Sequence, residues 1–193
     1  MSSSTNPMND YSDKELLEQF RNESSRNMAF NQLVRKYQRR VYWHIRRLVV
    51  DHDDADDVTQ NTFIKAWKGL HNFKEDSQLF TWLYRIATNE SFTFLKQKKA
   101  NLNLPLDDAS YAISKTLTDD NFFTGDEIQK KLQRAILTLP EKQRIVFNMK
   151  YFDEMKYEEM SKVLDTSVGA LKASYHIAVK KIEAFVLKEV ENI

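Results

Sequence analysis

The chain contains no cysteine, and only three glycines and three prolines occur among its 193 residues. Without cysteine it cannot form disulfides, Cys-ligated zinc sites, iron–sulfur clusters or a thiol nucleophile. The scarcity of glycine and proline argues against a β-sandwich or barrel, because those folds need a turn every ~8–12 residues. The abundance of Leu, Lys, Gln, Glu and Ala instead favours helices, so we expect an all-α protein.

Long apolar runs and a secretion signal are also missing. The longest apolar run is Ala184–Leu187, far short of the ~20 residues that span a bilayer. Residues 1–10 are rich in Ser and Asn and lack the basic and apolar regions of a signal peptide. We therefore expect residues 1–11 to be a disordered leader, and the protein to be cytoplasmic without membrane insertion.

Charge is balanced overall but segregated along the chain. There are 29 Lys and Arg against 28 Asp and Glu, which gives a net charge of +1. Residues 24–50 carry seven basic side chains and no acid, whereas residues 51–57 carry five aspartates and no Lys or Arg. Residues 107–127 are acidic again, and 172–181 contain three lysines without an acid. Alternating blocks of this kind are typical of a protein that binds both positively and negatively charged partners, and they also occur on solvated helix faces.

Apolar residues recur at three- and four-residue steps in two stretches of the chain, which predicts two small helical domains at 12–99 and 126–193. In the first, a capping box of Ser12 and Glu15 opens a short helix, and longer helices follow over about 30–48, 54–70 (with Gly69 as a stop signal) and 79–98. In the second, helices are predicted over 126–137, 140–151, 157–164 and 168–190. Residues 100–125 lose the periodicity and collect Asp, Asn, Ser and Thr, which predicts a flexible acidic linker.

The last two predicted helices have the spacing of a helix-turn-helix, with a three-residue turn that ends in the N-cap Ser167. One stripe of the final helix is apolar and predicted to be buried: Leu171, Tyr175, Ala178, Ile182 and Phe185. A second stripe is cationic and consists of Lys172, His176 and Lys180. A recognition helix needs one buried face and one face of hydrogen-bond donors for a DNA groove, although most amphipathic helix pairs do not bind DNA.

Two groups of motifs lie on either side of the acidic stretch. The first consists of DADDVTQNTFIKAW at 54–67, then Phe73, then FTWLYRIATN at 80–89. The second consists of LPEKQR at 139–144, YEEM at 157–160 and SVGALK at 167–172. Together and in this order they resemble regions two and four of the bacterial RNA polymerase sigma factors, specifically the small extracytoplasmic-function (ECF) group. The resemblance covers roughly residues 11–190.

The resemblance implies a transcription initiation factor, not an enzyme, that binds core RNA polymerase, recognises the −10 and −35 promoter elements and promotes strand opening. In this family the helix of the first motif docks on the clamp helices of the largest polymerase subunit. The implied contacts with core polymerase are Asp54, Asp57, Gln60 and Phe63, with Trp67 in support. Acidic residues also stabilise the start of a solvated helix by themselves. It is the spacing of Gln60, Phe63 and Trp67 that favours polymerase binding over such a solvated helix start.

The stretch that follows resembles the family's melting and −10 recognition element. Melting needs aromatic surfaces for unpaired bases, since base–aromatic stacking contributes ~1–3 kcal/mol per base. The implied residues are Phe73, Phe80, Trp82 and Tyr84 for stacking, with Arg85, Asn89 and Lys96 for base edges and phosphates. Aromatic residues suit a core equally well, and the sequence leaves open which of these four face the DNA.

The resemblance to region four implies that the final helix contacts the −35 element. The implied residues are Lys172, Ala173, His176, Ile177 and Lys180. This helix is less cationic than in many family members, because Ser174, Ile177 and Val179 stand where arginines are common. Apolar side chains at 173 and 177 would suit thymine methyl groups. Members of this group are commonly silenced by an anti-sigma factor that packs between the two domains, so the resemblance implies such a partner as well.

Two other functions compete with this interpretation. A stand-alone helix-turn-helix regulator would account for residues 126–190 but would leave the motif of Gln60, Phe63 and Trp67 unexplained. A divalent-metal enzyme would use the Asp51–Asp57 cluster. The chain has only four His, no Gly-rich phosphate loop and no second ligand cluster. We therefore expect a sigma factor with neither a metal nor a cofactor.

Overall fold

The computed structural model describes residues 11–102 and 127–191, and within these ranges all regular structure is helical. The first half of the molecule contains α1 (Asp13–Arg21), α2 (Arg26–Val49), α3 (His52–Gly69), a 3₁₀ turn (Leu70–Asn72) and α4 (Leu79–Leu102). The second half contains α5 (Glu127–Leu137), α6 (Glu141–Tyr151), α7 (Tyr157–Leu164) and α8 (Val168–Glu191). The prediction of an all-α fold is confirmed. The predicted leader, except Tyr11, and most of the predicted linker lie outside the described residues.

Side chains at the helix starts explain where several helices begin. The predicted capping box of α1 is present: the Glu15 amide donates to Ser12 Oγ at 3.3 Å, and the Ser12 amide donates to Glu15 Oε2 at 2.7 Å. Hydrogen bonds to this carboxylate from the Ser12 hydroxyl, at 2.7 Å, and from the Ser12 amide hold the pKa of Glu15 below its usual value. Asp51 caps α3 by accepting from the Asp54 amide at 3.0 Å, so this helix begins two residues before the predicted start.

Two details of the first half differ from the sequence-based predictions. α4 continues to Leu102, so residues 100–102 are helical and this helix ends four residues beyond its predicted end. Gly69 has a φ of −95°, which any residue adopts, so it is not a left-handed helix stop. A Cβ at this position would lie 3.3 Å from Cζ2 of Trp82. Any larger residue at position 69 would therefore push the Trp82 ring aside by a few tenths of an ångström.

Each half has the buried stripe that its periodicity predicted. α2 packs against α1, α3 and α4, with Leu33, Val41 and Ile45 buried between them. α8 packs against α5, α6 and α7 and buries the predicted residues Leu171 and Ala178. The opposite face of α8 remains exposed, which leaves this helix available to a partner.

The two halves also pack against each other, which the sequence pattern did not predict. α7 lies along α4, and α6 contacts α2. As a result Met155, Met160 and Leu171 belong to the same buried cluster as Leu83 and Tyr84 of α4. The boundaries of the two predicted domains stay a prediction. Across the described helices, none is long and apolar enough to cross a membrane.

Replacing Gly169 by Ala should stabilise the second half by about 0.5–1 kcal/mol, because glycine is a poor helix former. Gly169 is exposed in the first turn of α8, and a Cβ there would meet no other atom within 4 Å. The check is the thermal unfolding midpoint, with Ala170→Gly as the control that should lower it. A lower midpoint for Gly169→Ala would show that this turn is not helical.

Candidate functional site

A groove of about 790 Å³ lies between α2 and α3. Its more buried lining is mostly apolar and consists of Phe30, Val34, Phe63 and Trp67 together with Thr59. Its exposed lining is mostly polar and consists of Asn27, Asn31, Gln38, Gln60 and Ile64. Three of the five residues predicted to bind core polymerase, Gln60, Phe63 and Trp67, thus line one surface.

The aromatic residues of the groove are fixed by their neighbours. The Trp67 ring meets the rings of Phe20 and Phe30 edge-on, with centroids 5.3 and 5.0 Å apart. Phe63 is only 8% exposed, so most of its side chain belongs to the core of the first half. The groove is therefore a preformed surface, because these rings hold its shape without a partner.

The two predicted aspartates do not line the groove. Asp54 is partly buried and forms an ion pair with Lys98, which ties the start of α3 to the end of α4. Asp57 is exposed one turn before Gln60. Sequence reasoning missed one large apolar side chain of the groove, Ile64, which is 52% exposed. Ile64 follows Gln60 by four residues, so helical spacing alone would have placed it on the same face.

One face of α4 carries three exposed polar residues of the predicted −10 set. Arg85, Asn89 and Lys96 are four and seven residues apart, which places them on one side of a helix. Neither Arg85 nor Lys96 forms an ion pair with a carboxylate of the described residues. Trp82 is half-buried one turn earlier and packs on Phe73, with ring centroids 5.3 Å apart. This face therefore offers free cations and an amide beside one partly accessible indole.

The other three aromatics of the predicted −10 set are buried in this conformation. Phe73, Phe80 and Tyr84 are 8%, 9% and 0% exposed. The Tyr84 hydroxyl donates to the backbone oxygen of Arg40 at 3.2 Å. Burial, and secondarily the charge of Asp153, raises the pKa of Tyr84. None of the three rings presents a free face on which a base can stack.

The exposed face of α8 carries all five residues predicted to contact the −35 element. Lys172, Ala173, His176, Ile177 and Lys180 are exposed, opposite the buried Leu171 and Ala178. Where the structure describes the chain, none of the three cationic candidates is paired with a carboxylate. Lys172 Nζ lies 5.7 Å from the centre of the Tyr157 ring on α7, a contact that links the two helices of the predicted helix-turn-helix.

Comparison with known proteins identifies the family. The family models for Sigma-70 region 2 and Sigma-70, region 4 match residues 33–101 and 129–182. The RNA polymerase sigma-H factor of Pseudomonas aeruginosa is 31% identical over 179 residues, which is 89% of this chain and 92% of the relative. The ECF RNA polymerase sigma-E factor of Escherichia coli strain K12 is 31% identical over 163 residues, 80% of this chain and 85% of the relative. The chain belongs to the ECF group of RNA polymerase sigma factors.

Two solved structures share the fold of this protein. CnrH in complex with the cytosolic domain of CnrY superposes with a TM-score of 0.64 at 24% identity, covering 89% of this chain and 94% of CnrH. The sigma factor RpoE from Bartonella quintana, in complex with the anti-sigma factor NepR, gives a TM-score of 0.65 at 18% identity, covering 81% and 96%. The family models and curated relatives confirm the recognition of a sigma factor from sequence.

The aspartate cluster of this sigma factor has structural partners. Asp51 caps α3, and Asp54 pairs with Lys98. Among the residues that the structure describes, no group of three or more His, Asp or Glu side chains is placed to hold a metal ion. The cluster therefore begins a helix and positions α4. A stand-alone regulator is also disfavoured, because the region 2 match covers the first half, which such a regulator leaves unexplained.

Proposed function

We propose that this sigma factor directs promoter-specific initiation through three separate surfaces. The groove between α2 and α3 binds core RNA polymerase, the exposed face of α4 engages the −10 element, and the exposed face of α8 reads the −35 element. The observation that carries the proposal is the groove, because a preformed apolar cleft edged by amides is a docking surface for another protein. As a sigma factor the chain contributes no chemistry of its own, and it works in the cytoplasm with the polymerase.

The chemistry of the groove suits a basic helical partner. Its apolar lining accepts apolar side chains from a helix, while Asn31, Gln38 and Gln60 offer hydrogen bonds at its edges. Asp53, Asp56 and Asp57 are exposed in the first turns of α3. Negative charge beside a groove steers a positively charged partner and sets its orientation. A basic coiled coil of the polymerase clamp has this complementary character.

The face of α4 suits one strand of melted DNA. The side-chain amide of Asn89 can both donate and accept at a base edge, and Arg85 and Lys96 can each neutralise a phosphate. Trp82 offers a partly accessible ring beside them. These residues bind a strand once it is open, whereas duplex DNA presents its bases stacked and paired.

The substitutions Lys172→Ala and His176→Ala should weaken −35 binding in different ways. We expect Lys172 to hold a phosphate, so its loss weakens binding to all sequences alike and lowers the salt slope by about one. We expect His176 to contact a base, so its loss changes preference at one or two base pairs by ~1–3 kcal/mol each. Footprinting on a set of upstream variants measures both. Unchanged transcription and binding in both variants would place the recognition surface elsewhere.

Free sigma factor should bind duplex DNA weakly. A net charge of +1 gives little long-range attraction, and the lysines of α8 reach only a few phosphates. The logarithm of the association constant should fall with the logarithm of the salt concentration at a slope of about −3. A filter-binding salt titration measures this slope. Tight, sequence-specific binding by the free protein at physiological salt would contradict the expectation that it contacts only a few phosphates.

An anti-sigma factor is the second protein partner that we propose. The solved neighbours are a complex of CnrH with CnrY and a complex of RpoE with the anti-sigma factor NepR. This chain has the same fold, and it offers apolar and charged surfaces on both halves. A protein that covers the groove or the face of α4 would silence it by competition.

A further inference from the structure

A small cavity, separate from the groove between α2 and α3, lies where α2 faces the turn between α6 and α7. Its volume is about 310 Å³, at the lower end of the ~300–1,000 Å³ range of pockets that hold small molecules. Arg39, Arg40 and Arg47 line it from α2, and the buried Tyr84 lines it from α4. The three proposed surfaces for polymerase and DNA do not include this cavity, so it calls for a ligand of its own.

Positive charge follows one side of α2 along this cavity. Trp43 lies four residues after Arg39 and four before Arg47, which places the three on one side of the helix. Within the described parts of the chain, neither Arg39 nor Arg40 is paired with a carboxylate. The Arg40 guanidinium lies 4.3 Å from the centre of the Phe80 ring, and a stacked guanidinium keeps its in-plane N–H donors available. Two arginines can therefore each offer a fork of donors to an anion.

Two acidic side chains also border the cavity, and they leave its net charge positive. Both oxygens of Asp153 are already engaged, because Oδ1 accepts from Arg47 Nη1 at 2.8 Å and Oδ2 lies 3.0 Å from His44 Nδ1. The charges of Asp153 and Arg47 cancel, so the other two arginines give the cavity its positive charge. Glu154 is exposed, and its carboxylate can accept a hydrogen bond from a hydroxyl or amino group of a ligand.

Aromatic rings supply the apolar part of the lining. Trp43 is half-buried, and its ring meets the Tyr42 ring edge-on with centroids 5.1 Å apart. Phe152 follows the end of α6, and its ring carries the Arg47 guanidinium at 4.5 Å. Rings that are held by such contacts offer a flat apolar surface against which a planar heterocycle can pack. The cavity thus combines cations for a phosphate with rings for a base, within the span of one small molecule.

We propose that this cavity binds a nucleoside monophosphate. Arg39 and Arg40 hold the phosphate. The base packs against Trp43 and Phe152, and Glu154 accepts a hydrogen bond from a sugar hydroxyl. Inorganic phosphate would use only the arginines, and an unphosphorylated nucleoside would use only the rings and the carboxylate, so the affinity comes from both parts together. The site adds a small-molecule ligand to the protein and polymer partners proposed above, and it does not depend on them.

Isothermal titration calorimetry on the full-length protein tests the site. The probes are AMP and GMP, with inorganic phosphate and the matching nucleoside as the two half-ligands. At least one nucleotide should bind at a single site with a dissociation constant below ~1 mM. Each half-ligand should bind at least roughly tenfold more weakly, because it lacks one set of contacts. Absence of saturable binding for both nucleotides would overturn the proposal, as would inorganic phosphate that binds as tightly as the nucleotide.

A pair of arginine substitutions on α2 locates the bound phosphate. Arg39 is exposed, so Arg39→Gln should leave the helix content unchanged, and it should weaken nucleotide binding roughly ten- to hundredfold. The matched control is Arg35→Gln, which removes the same charge from an exposed position one turn earlier that does not line this cavity. It should leave the affinity nearly unchanged. Wild-type affinity in Arg39→Gln, or equal losses in the two variants, would overturn the proposal.

Photolabelling of the wild-type protein locates the base without any substitution. The probe is the 8-azido derivative of the nucleotide that binds, because its azide is on the base and reacts with neighbouring side chains on irradiation. Trypsin cleaves after Lys and Arg, so Trp43 lies in the fragment 41–46 and Phe152 in the fragment 151–156. Mass spectrometry should find the label on one or both of these fragments, and excess unmodified nucleotide should prevent it. Label confined to other fragments would overturn the proposal.

Discussion

The double substitution Gln60→Ala with Ile64→Asp should abolish co-purification with core RNA polymerase and leave the helix content unchanged. Ile64 is 52% exposed and Gln60 is exposed, so neither change removes much from the folded core. In the complex, an aspartate would be desolvated within an apolar interface, and central interface residues of this kind each carry ~2 kcal/mol or more. The affinity for core should fall by roughly a hundredfold to a thousandfold.

Fluorescence anisotropy with labelled sigma factor and purified core measures this loss. The matched control is Leu187→Asp, which makes the same kind of change at a side chain of α8 that is 63% exposed and outside the groove. Phe63→Ala is a poorer probe, because that ring is buried and its truncation costs ~3–5 kcal/mol of stability. A folded Gln60→Ala/Ile64→Asp variant with wild-type affinity would show that polymerase does not use this groove.

Replacing both Arg85 and Asn89 by Ala should leave closed promoter complexes nearly intact and impair strand opening. Both side chains are exposed, so the fold should survive. Each contact to an unpaired base or its phosphate is worth ~1–3 kcal/mol, and the loss of both should reduce open complexes by roughly thirtyfold to ten-thousandfold. Permanganate reactivity of thymines near the start site reports the opened strands directly.

A pre-melted template distinguishes strand opening from other defects. If α4 captures unpaired bases, a bubble around the start site should restore much of the lost transcription, because its bases are already unstacked. Gln97→Ala, at an exposed position of α4 on a different face, should behave as wild type on both templates. An equal deficit on bubble and duplex templates would assign Arg85 and Asn89 to polymerase docking.

Local features of this fold could be predicted because local chemistry determines them. The helix Tyr157–Leu164 has the predicted bounds at both ends, and Ser167 Oγ accepts from the Ala170 amide at 3.3 Å as expected of an N-cap. Helical periodicity also separates the buried stripe of α8 from its exposed cationic face, since both follow from a repeat of 3.6 residues. These signals lie within a few residues of the feature they specify.

Contacts between distant elements could not be predicted in the same way. Arg47 and Asp153 are 106 residues apart in sequence, and periodicity indicates which face of a helix is buried but not what covers it. His44 adjoins the apolar stripe of α2 and carries no sign of its partner on the second half. The aromatics after Phe73 pose the same problem, because burial and base stacking select the same side chains. Only packing shows that Tyr84 is buried.

Run-off transcription with core polymerase on a library of genomic fragments tests the central claim most directly. Core alone should give little promoter-specific RNA. Addition of this protein should produce transcripts with discrete starts, and the upstream sequences should share two elements near −35 and −10. The Gln60→Ala/Ile64→Asp variant should remove these transcripts, while Leu187→Asp should keep them. An RNA profile identical with and without the protein would contradict its assignment as a sigma factor that acts through these surfaces.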